Sequence, residues 1–526
     1  MAFFDFFSFA PETVLVLDRR LLKVFNMALN IYWTSLFILM PIVVLFIGRH
    51  VILRLFRTKN LEKNVVPQDV DVEAQKFRRT FLRVYLVVMG SEWLQTPYLY
   101  SLFHDEKGFD KRTVAILYAA IYLSAAVSAL FTGYMADKLG RRTACFIFCG
   151  IHSLASISVK SNDIRVLIAG RIFSGIGLNL LWTTFESWMI AEYNARKLDQ
   201  SSLPLSAMLS IMTTYNCITA IIAGVVGYCI VLVSGSKTDP FVAGVVLDVC
   251  AVLLMLWTWN ENKGATNSVS NSCDEQVSES DTTDDKIPEG TIGNLKDVRI
   301  WVLSFASCCF EGSIFIFTFS WPGTLQTAHD KDHPEKADGI SYGAIFSAFM
   351  ATMVLGTMLF RFLIRTVKPE TTDKIPLFSA VLPTLILCTT FFVGALSFLI
   401  AAFSRGEFDT YMAFLLLEFC NGVYVSSMAY HRSLIVNDSS RAMVYGFMNI
   451  PLFIFVVIVV YATSSNDEQR QTLFASSAIL PIVAALAVIL GFGLQNIRSG
   501  FSQVKTGEAD SAEKDVLEIE NIENAT

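Results

Sequence analysis

A run of about 20 predominantly apolar residues is the unit from which this chain is built: Met27–Gly48 is the first, and twelve more follow between Phe81 and Leu494. Wound as an α-helix at about 1.5 Å per residue, such a run spans the roughly 30 Å hydrocarbon core of a bilayer. Hydrocarbon offers no partner to backbone N–H and C=O groups, so a segment must satisfy them internally to cross it. Charged residues make up 17% of the 526 and hydrophobic residues 53%, against about a quarter charged in soluble domains. An all-α membrane protein is the expected class.

The twelve later runs are predicted at Phe81–Phe103, Val114–Ala136, Ala144–Val159, Val166–Ala191, Ala207–Val233 and Phe241–Trp259, then at Ile300–Trp321, Tyr342–Ile364, Ile375–Phe403, Thr410–Tyr430, Ala442–Thr463 and Thr472–Leu494. Between the sixth and seventh lies a stretch rich in Ser, Thr, Asp and Asn, too poor in apolar residues to fold alone. The expected organisation is an anchor helix with a basic cytoplasmic loop over 1–79, a six-helix half over 80–259, a disordered linker over 260–298, a second six-helix half over 299–496 and an acidic tail over 497–526. Met27–Gly48 is followed by Arg49-His50 and no small-residue cleavage site, so it reads as a retained anchor.

Lys138, Arg141, Arg142, Arg196, Lys197, Arg365, Lys368, Lys374, Arg432 and Arg441 fall in alternate loops on the same side as the basic stretch Arg49–Arg79. Because cytoplasmic loops carry the excess of Lys and Arg, the amino terminus is expected outside and the tail inside. The net charge of −6 sits largely in Glu261–Lys296 and Gly507–Glu523, which argues against a nucleic-acid partner. Ten scattered cysteines show no CxxC pair and no histidines at metal spacing, so they read as small hydrophobes. No P-loop, metal-ligand cluster or nucleophile–base arrangement is evident, and neither an enzyme, a cofactor nor a metal is expected. His152 is read as a packed, hydrogen-bonded histidine, and Asp248 as a structural hydrogen-bonding group.

Between the second and third bundle runs stands Gly133-Tyr-Met-Ala-Asp137-Lys-Leu-Gly140-Arg141-Arg142. Its glycines permit a tight turn, Asp137 suits the positive end of a neighbouring helix, and the arginines suit carboxylates and helix C-termini. This loop resembles the G-x-x-x-D-x-x-G-R-[RK] signature of the major facilitator superfamily. The resemblance implies two six-helix halves plus one extra N-terminal transmembrane helix, and a cytoplasmic gate built on Gly133, Asp137, Gly140, Arg141 and Arg142 that meets the eleventh bundle helix near Ser439-Ser440-Arg441. A second match, Arg171-Ile-Phe-Ser-Gly175-Ile-Gly177, resembles a motif of the superfamily's fourth helix, and Arg171 there either serves the cavity or snorkels to the interface. The equivalent loop of the second half, Gly356 to Arg361, has lost its acid.

The segments Glu92-Trp-Leu-Gln-Thr-Pro-Tyr-Leu-Tyr100, Phe185-Glu-Ser-Trp188, Phe310-Glu-Gly-Ser-Ile-Phe-Ile-Phe317 and Ile345-Phe-Ser-Ala-Phe-Met350 are similar to the molybdate-anion transporter family. The resemblance implies uptake of molybdate across the cell membrane by a monomer set in the lipid bilayer.

In the superfamily the first, fourth, seventh and tenth helices line the cavity, and here each carries one glutamate: Glu92, Glu186, Glu311 and Glu418. An acid at membrane depth is costly and marks a functional position by default. Glu92 and Glu311 each lie eleven residues into the first run of their half, about 17 Å along it, and are expected to face one water-filled path. Glu186 belongs near the cytoplasmic mouth, where an interfacial ion pair is the competing reading. A dianion would be repelled by ionised glutamates, so protons are expected to accompany it, with Gln95, Tyr98, Arg171, Asn179, Thr183, Ser313, Asn421 and Tyr424 as donors. Two alternatives stay open: a proton-coupled carrier of a sugar, organic cation or other small solute, and a non-transporting membrane scaffold.

Overall fold

The computed structural model describes residues 30–61, 68–129, 131–198, 201, 203–262, 298–334, 339–367, 377–435, 452, 454–455 and 471–492. Among these every regular element is helical: α1 Ile31–Leu61, α2 Gln68–Gln95, α3 Lys111–Ser128, α4 Thr132–Leu139, α5 Arg141–Ser158, α6 Ile164–Ala195, α7 Leu205–Ser234, α8 Asp239–Thr258, α9 Val298–Asp332, α10 Tyr342–Val367, α11 Leu377–Phe403, α12 Glu407–Ile435 and α13 Gln471–Phe492. The predicted eleventh bundle helix, Ala442–Thr463, falls mostly outside the described residues.

The helices run further than their apolar cores. α1 continues to Leu61 and α2 begins at Gln68, so most of the basic stretch between the two apolar runs is helical. Polar residues in the end turns can be solvated and need no hydrocarbon, which is why hydropathy alone truncates these elements. The first bundle run breaks where Pro97 removes a backbone donor: α2 passes into a 3₁₀ turn, Thr96–Tyr98, and then a π turn, Leu102–Glu106. The single run predicted over 114–136 is two helices, α3 and α4, separated around Ala129–Phe131. Asp163 starts α6 by accepting from the Arg165 N–H at 2.9 Å, and Gly235 ends α7 in the left-handed conformation at φ 78°.

α2 to α8 form one half and α9 to α13 belong to the other. Corresponding helices pack alike in the two halves. Gly175 of α6 lies so close to α3 that a Cβ there would stand 2.1 Å from the Ile121 carbonyl, and Gly422 of α12 lies against α10, where a Cβ would stand 1.9 Å from the Met353 carbonyl. Without a hydrophobic drive between helices in lipid, such small-residue contacts bring backbones together. This accounts for Gly175 in the arginine–glycine motif.

The halves meet along α7 and α10. The Ser347 hydroxyl donates to the Ile221 carbonyl at 2.8 Å, and a Cβ on Gly343 would sit 2.2 Å from the Gly224 carbonyl and 2.7 Å from the Tyr98 hydroxyl. Gly343→Leu is therefore expected to push α7 from α10 and lower the melting temperature in detergent, at a cost of about 1–3 kcal/mol for overpacking. A thermal melt equal to that of the parent protein would remove this seam as a close contact. α1 lies across the same seam: Val43 packs with Ile221, Ala351 and Val354, and the Trp33 ring meets that of Tyr228 at 5.2 Å. At the end where α1 begins, its Tyr32 ring also meets Tyr411 of α12 edge-on at 4.9 Å.

Candidate substrate and proton site

In the first half three helices converge on one imidazole. Ser91 and Gln95, four residues apart, share a face of α2; α5 brings His152 and Ser156 with the same spacing; α8 brings Asp248. His152 Nδ1 lies 2.7 Å from Asp248 Oδ2, and its Nε2 lies 3.1 Å from Glu92 Oε2. Ser153 donates to the same Asp248 oxygen at 3.1 Å, Ser156 donates to Gln95 Oε1 at 2.9 Å, and Gln95 Nε2 stands 3.2 Å from His152 Nε2. Asp248 is 1% exposed, whereas the Glu92 side chain keeps 30% of its surface open. Glu92 is thus the open end of a buried acid–imidazole–acid chain. An imidazole donates to both neighbours only when it carries two protons, so the trio has the chemistry to hold one and pass it along.

In the second half one carboxylate oxygen collects donors. Glu311 Oε1 accepts from the Ser307 hydroxyl at 2.6 Å and from the Tyr424 hydroxyl at 2.6 Å, and Arg432 Nη2 lies 3.5 Å away. Arg432 also donates to Ser307 Oγ at 2.8 Å. Tyr424 is buried, and its ring packs on Phe310 at 4.5 Å, which fixes where the hydroxyl points. The Glu311 side chain is 27% exposed, close to the figure for Glu92.

The other expected residues divide. Glu418 is buried and accepts from Asn421 Nδ2 at 3.1 Å. Arg171 is 3% exposed, donates to the Ala155 carbonyl at 2.8 Å and lies over the Phe103 ring at 5.6 Å, so it is held against α5 rather than snorkelling. Asn179 joins α6 to α3 through the Ala125 carbonyl at 2.5 Å and Ser128 Oγ at 2.7 Å, and Thr183 turns back to the Asn179 carbonyl at 2.6 Å. Ser313 bonds the carbonyls of Cys309 at 2.9 Å and Ser477 at 3.2 Å, joining α9 to α13. Tyr98 is packed between Gly227 and Gly343 at the seam of the halves. Glu186 is half-buried near Tyr85. Glu92 and Glu311 are each tied to partners of their own half.

Gly140 turns at φ 105°, a conformation that favours glycine, and starts α5. The exposed N-terminus of α5 is capped from the far end of the same half: Glu261 accepts from the N–H groups of Arg142 at 2.9 Å and Thr143 at 3.0 Å, and from the Thr143 hydroxyl at 2.7 Å. Arg142 reaches the Leu256 carbonyl near the end of α8 at 3.3 Å, and Arg141 reaches the Ser187 carbonyl at 3.3 Å. The motif therefore fastens residues 260–262, the start of the expected linker, to the bundle. The side chain of Asp137, and the expected partners Ser439, Ser440 and Arg441, lie outside what the structure describes, as do the surroundings of Gly133.

At the end where α1 begins, aromatic rings join the halves: Tyr118 and Tyr122 of α3 meet Phe319 and Phe315 of α9, each at 5.1 Å. Tyr342 of α10 donates to Asp105 Oδ2 at 2.9 Å, and Lys237 pairs with the same oxygen at 2.7 Å.

Sequence reasoning counted Arg432 with the loops and His152 and Asp248 with structural packing. Arg432 follows Asn421 by eleven residues, three turns on the same helical face, which was a usable signal. For His152 and Asp248 the signal was an acid and a base in two apolar helices of one half.

The long apolar helices packed as two halves, with an anchor helix over their seam and ionisable groups buried among them, are those of a multi-pass membrane protein. A family model described as sugar transporters with 12 transmembrane segments matches residues 42–408, and the chain belongs to this family of the major facilitator superfamily. The chain is 27% identical over 445 residues to the molybdate-anion transporter of Takifugu rubripes, covering 80% of this chain and 88% of that one. It is 27% identical over 423 residues to the molybdate-anion transporter of Xenopus tropicalis, covering 79% and 85%. Among solved structures, the nucleoside transporter NupG superposes with a TM-score of 0.58 at 15% identity over 79% of this chain and 99% of its own. A bacterial homologue of the human lysosomal transporter Spinster, in an inward-facing and occupied conformation, gives 0.54 at 11% identity over 80% and 96%. These two likenesses concern the fold alone.

Proposed function

We propose that the protein is a secondary active transporter that takes up molybdate by alternating access, with a proton moving in company. The substrate follows the names of its relatives. The observation that carries the mechanism is the convergence of Ser307, Tyr424 and Arg432 on Glu311 Oε1. That carboxylate oxygen sits where one oxygen of a tetrahedral oxyanion would, among the charged and hydroxyl donors such an anion needs. A proton taken from water by Glu311 removes its claim on these donors, and the arriving dianion takes them over. Arg432 offsets the repulsion from Glu311, and His152 does the same between Glu92 and Asp248. Glu92 opens that second proton store to the same aqueous path. The aromatic contacts that join the halves at the end where α1 begins support a path open toward the opposite end, and the excess of Lys and Arg in the loops there supports reading that end as cytoplasmic. A neutral sugar, the other substrate class attached to this family, would leave the charge of Arg432 uncompensated once Glu311 is protonated.

Uptake of labelled molybdate into proteoliposomes is expected to rise as the pH on the substrate side falls, and to be suppressed by tungstate but not by hexoses. Glu311→Gln should keep molybdate binding and lose the pH dependence, because the amide leaves the donors without a proton to carry. A flat pH profile in the parent protein sinks the coupling, and competition by hexoses sinks the substrate.

A further inference from the structure

At the end where α1 begins, α9 projects past Trp321 to Asp332 and brings His329 to its last turn and His333 just past its end. His329 and His333 are four residues apart, and the His333 N–H donates to the His329 carbonyl at 2.9 Å, so both imidazoles leave one helical face. Glu407, the first residue of α12, faces them: its Oε2 lies 3.0 Å from His329 Nδ1 and 3.5 Å from His333 Nε2. One donor atom from each of the three residues falls within 4.8 Å of the others. Four ligands held tetrahedrally at about 2.0–2.1 Å from an ion stand roughly 3.3 Å from one another, a value bracketed by the two separations to Glu407.

The surroundings suit an ion. The Glu407 carboxylate is oriented by the hydroxyl of Tyr32 from α1, and its backbone N–H donates to Asp332 Oδ2 at 2.6 Å, the kind of outer support that holds ligating groups in place. His329 is 8% exposed and turns its Nδ1 toward Glu407. The His333 side chain is 41% exposed and leaves an approach from water.

We propose that His329, His333 and Glu407 bind a divalent transition-metal ion of the zinc type, with water as the fourth ligand. Two imidazoles and one carboxylate favour zinc over magnesium or calcium, which prefer all-oxygen sites. A bound ion fastens the end of α9 to the start of α12 and, through Tyr32, to α1.

The test is titration of ZnCl2 into the full chain, purified in detergent, stripped with chelator and dialysed, read by calorimetry and thermal melting. CoCl2 serves as a second probe, because a four-coordinate site gives it visible absorption. One ion per chain is expected, with a rise in melting temperature. His333→Ala, at a partly exposed position, should keep the metal-free melting temperature and weaken binding by roughly tenfold or more, and Glu407→Gln should weaken binding as well. Absence of stoichiometric zinc binding, or binding undiminished in His333→Ala, overturns the assignment.

Discussion

Replacing Arg432 with glutamine is expected to reduce molybdate uptake by at least about 100-fold while the protein still reaches the membrane. The guanidinium donates to Ser307 Oγ at 2.8 Å and stands 3.5 Å from Glu311 Oε1, so it belongs to the donor set proposed for the oxyanion. Hydrogen bonds to charged groups contribute about 1.5–3 kcal/mol each, and about 1.4 kcal/mol is a factor of ten. Loss of two such bonds to a dianion reaches the stated factor. Glutamine also leaves Glu311 without its cation, which adds repulsion to the lost attraction. Arg432→Lys should recover part of the activity, since the charge survives but the planar fork does not. Proteoliposome uptake with matched protein content checks both variants, and parent-like uptake by Arg432→Gln would remove this residue from the site.

His152→Leu should have the largest effect on stability. It leaves Asp248, 1% exposed, facing a hydrocarbon side chain, with the hydroxyl of Ser153 at 3.1 Å as its remaining described partner. Removing one member of a buried ion pair typically costs about 3–5 kcal/mol, because the other is left uncompensated. The double variant His152→Leu with Asp248→Leu removes that stranded acid and should regain most of the melting temperature. It should not regain proton-dependent uptake, because the store behind Glu92 is gone. Equal melting temperatures for the single and double variants would show that His152 and Asp248 do not act as a pair.

Much of the architecture was legible because hydrocarbon imposes one rule on every spanning segment. The apolar runs follow from it. What hydropathy does not encode is where a helix ends in water or bends in lipid. The additional turns before Phe81 in α2, the break between α3 and α4 and the irregular turns after Gln95 are of that kind. Glu92 and Glu311 stood out as costly acids in matching positions, but their partners come from α5 and α12 and depend on helix rotation. The same uncertainty made Asn179 and Ser313 resemble cavity donors, when each spends its hydrogen bonds joining neighbouring helices. The alternation of Lys and Arg along the chain set Arg432 among interfacial charges, yet its long side chain reaches back to Glu311.

The placement of α1 has a mechanical consequence. Its Trp33 and Val43 cover the α7–α10 joint, while Phe37, Ile38, Val44 and Leu45 remain outward-facing. Annular lipid is thereby displaced from one flank of the joint by a protein strut. In the alternating-access cycle proposed above, rocking of one half against the other would shear over that strut, so its friction would be written partly in the side chains of α1 and only partly in the fluidity of the surrounding membrane.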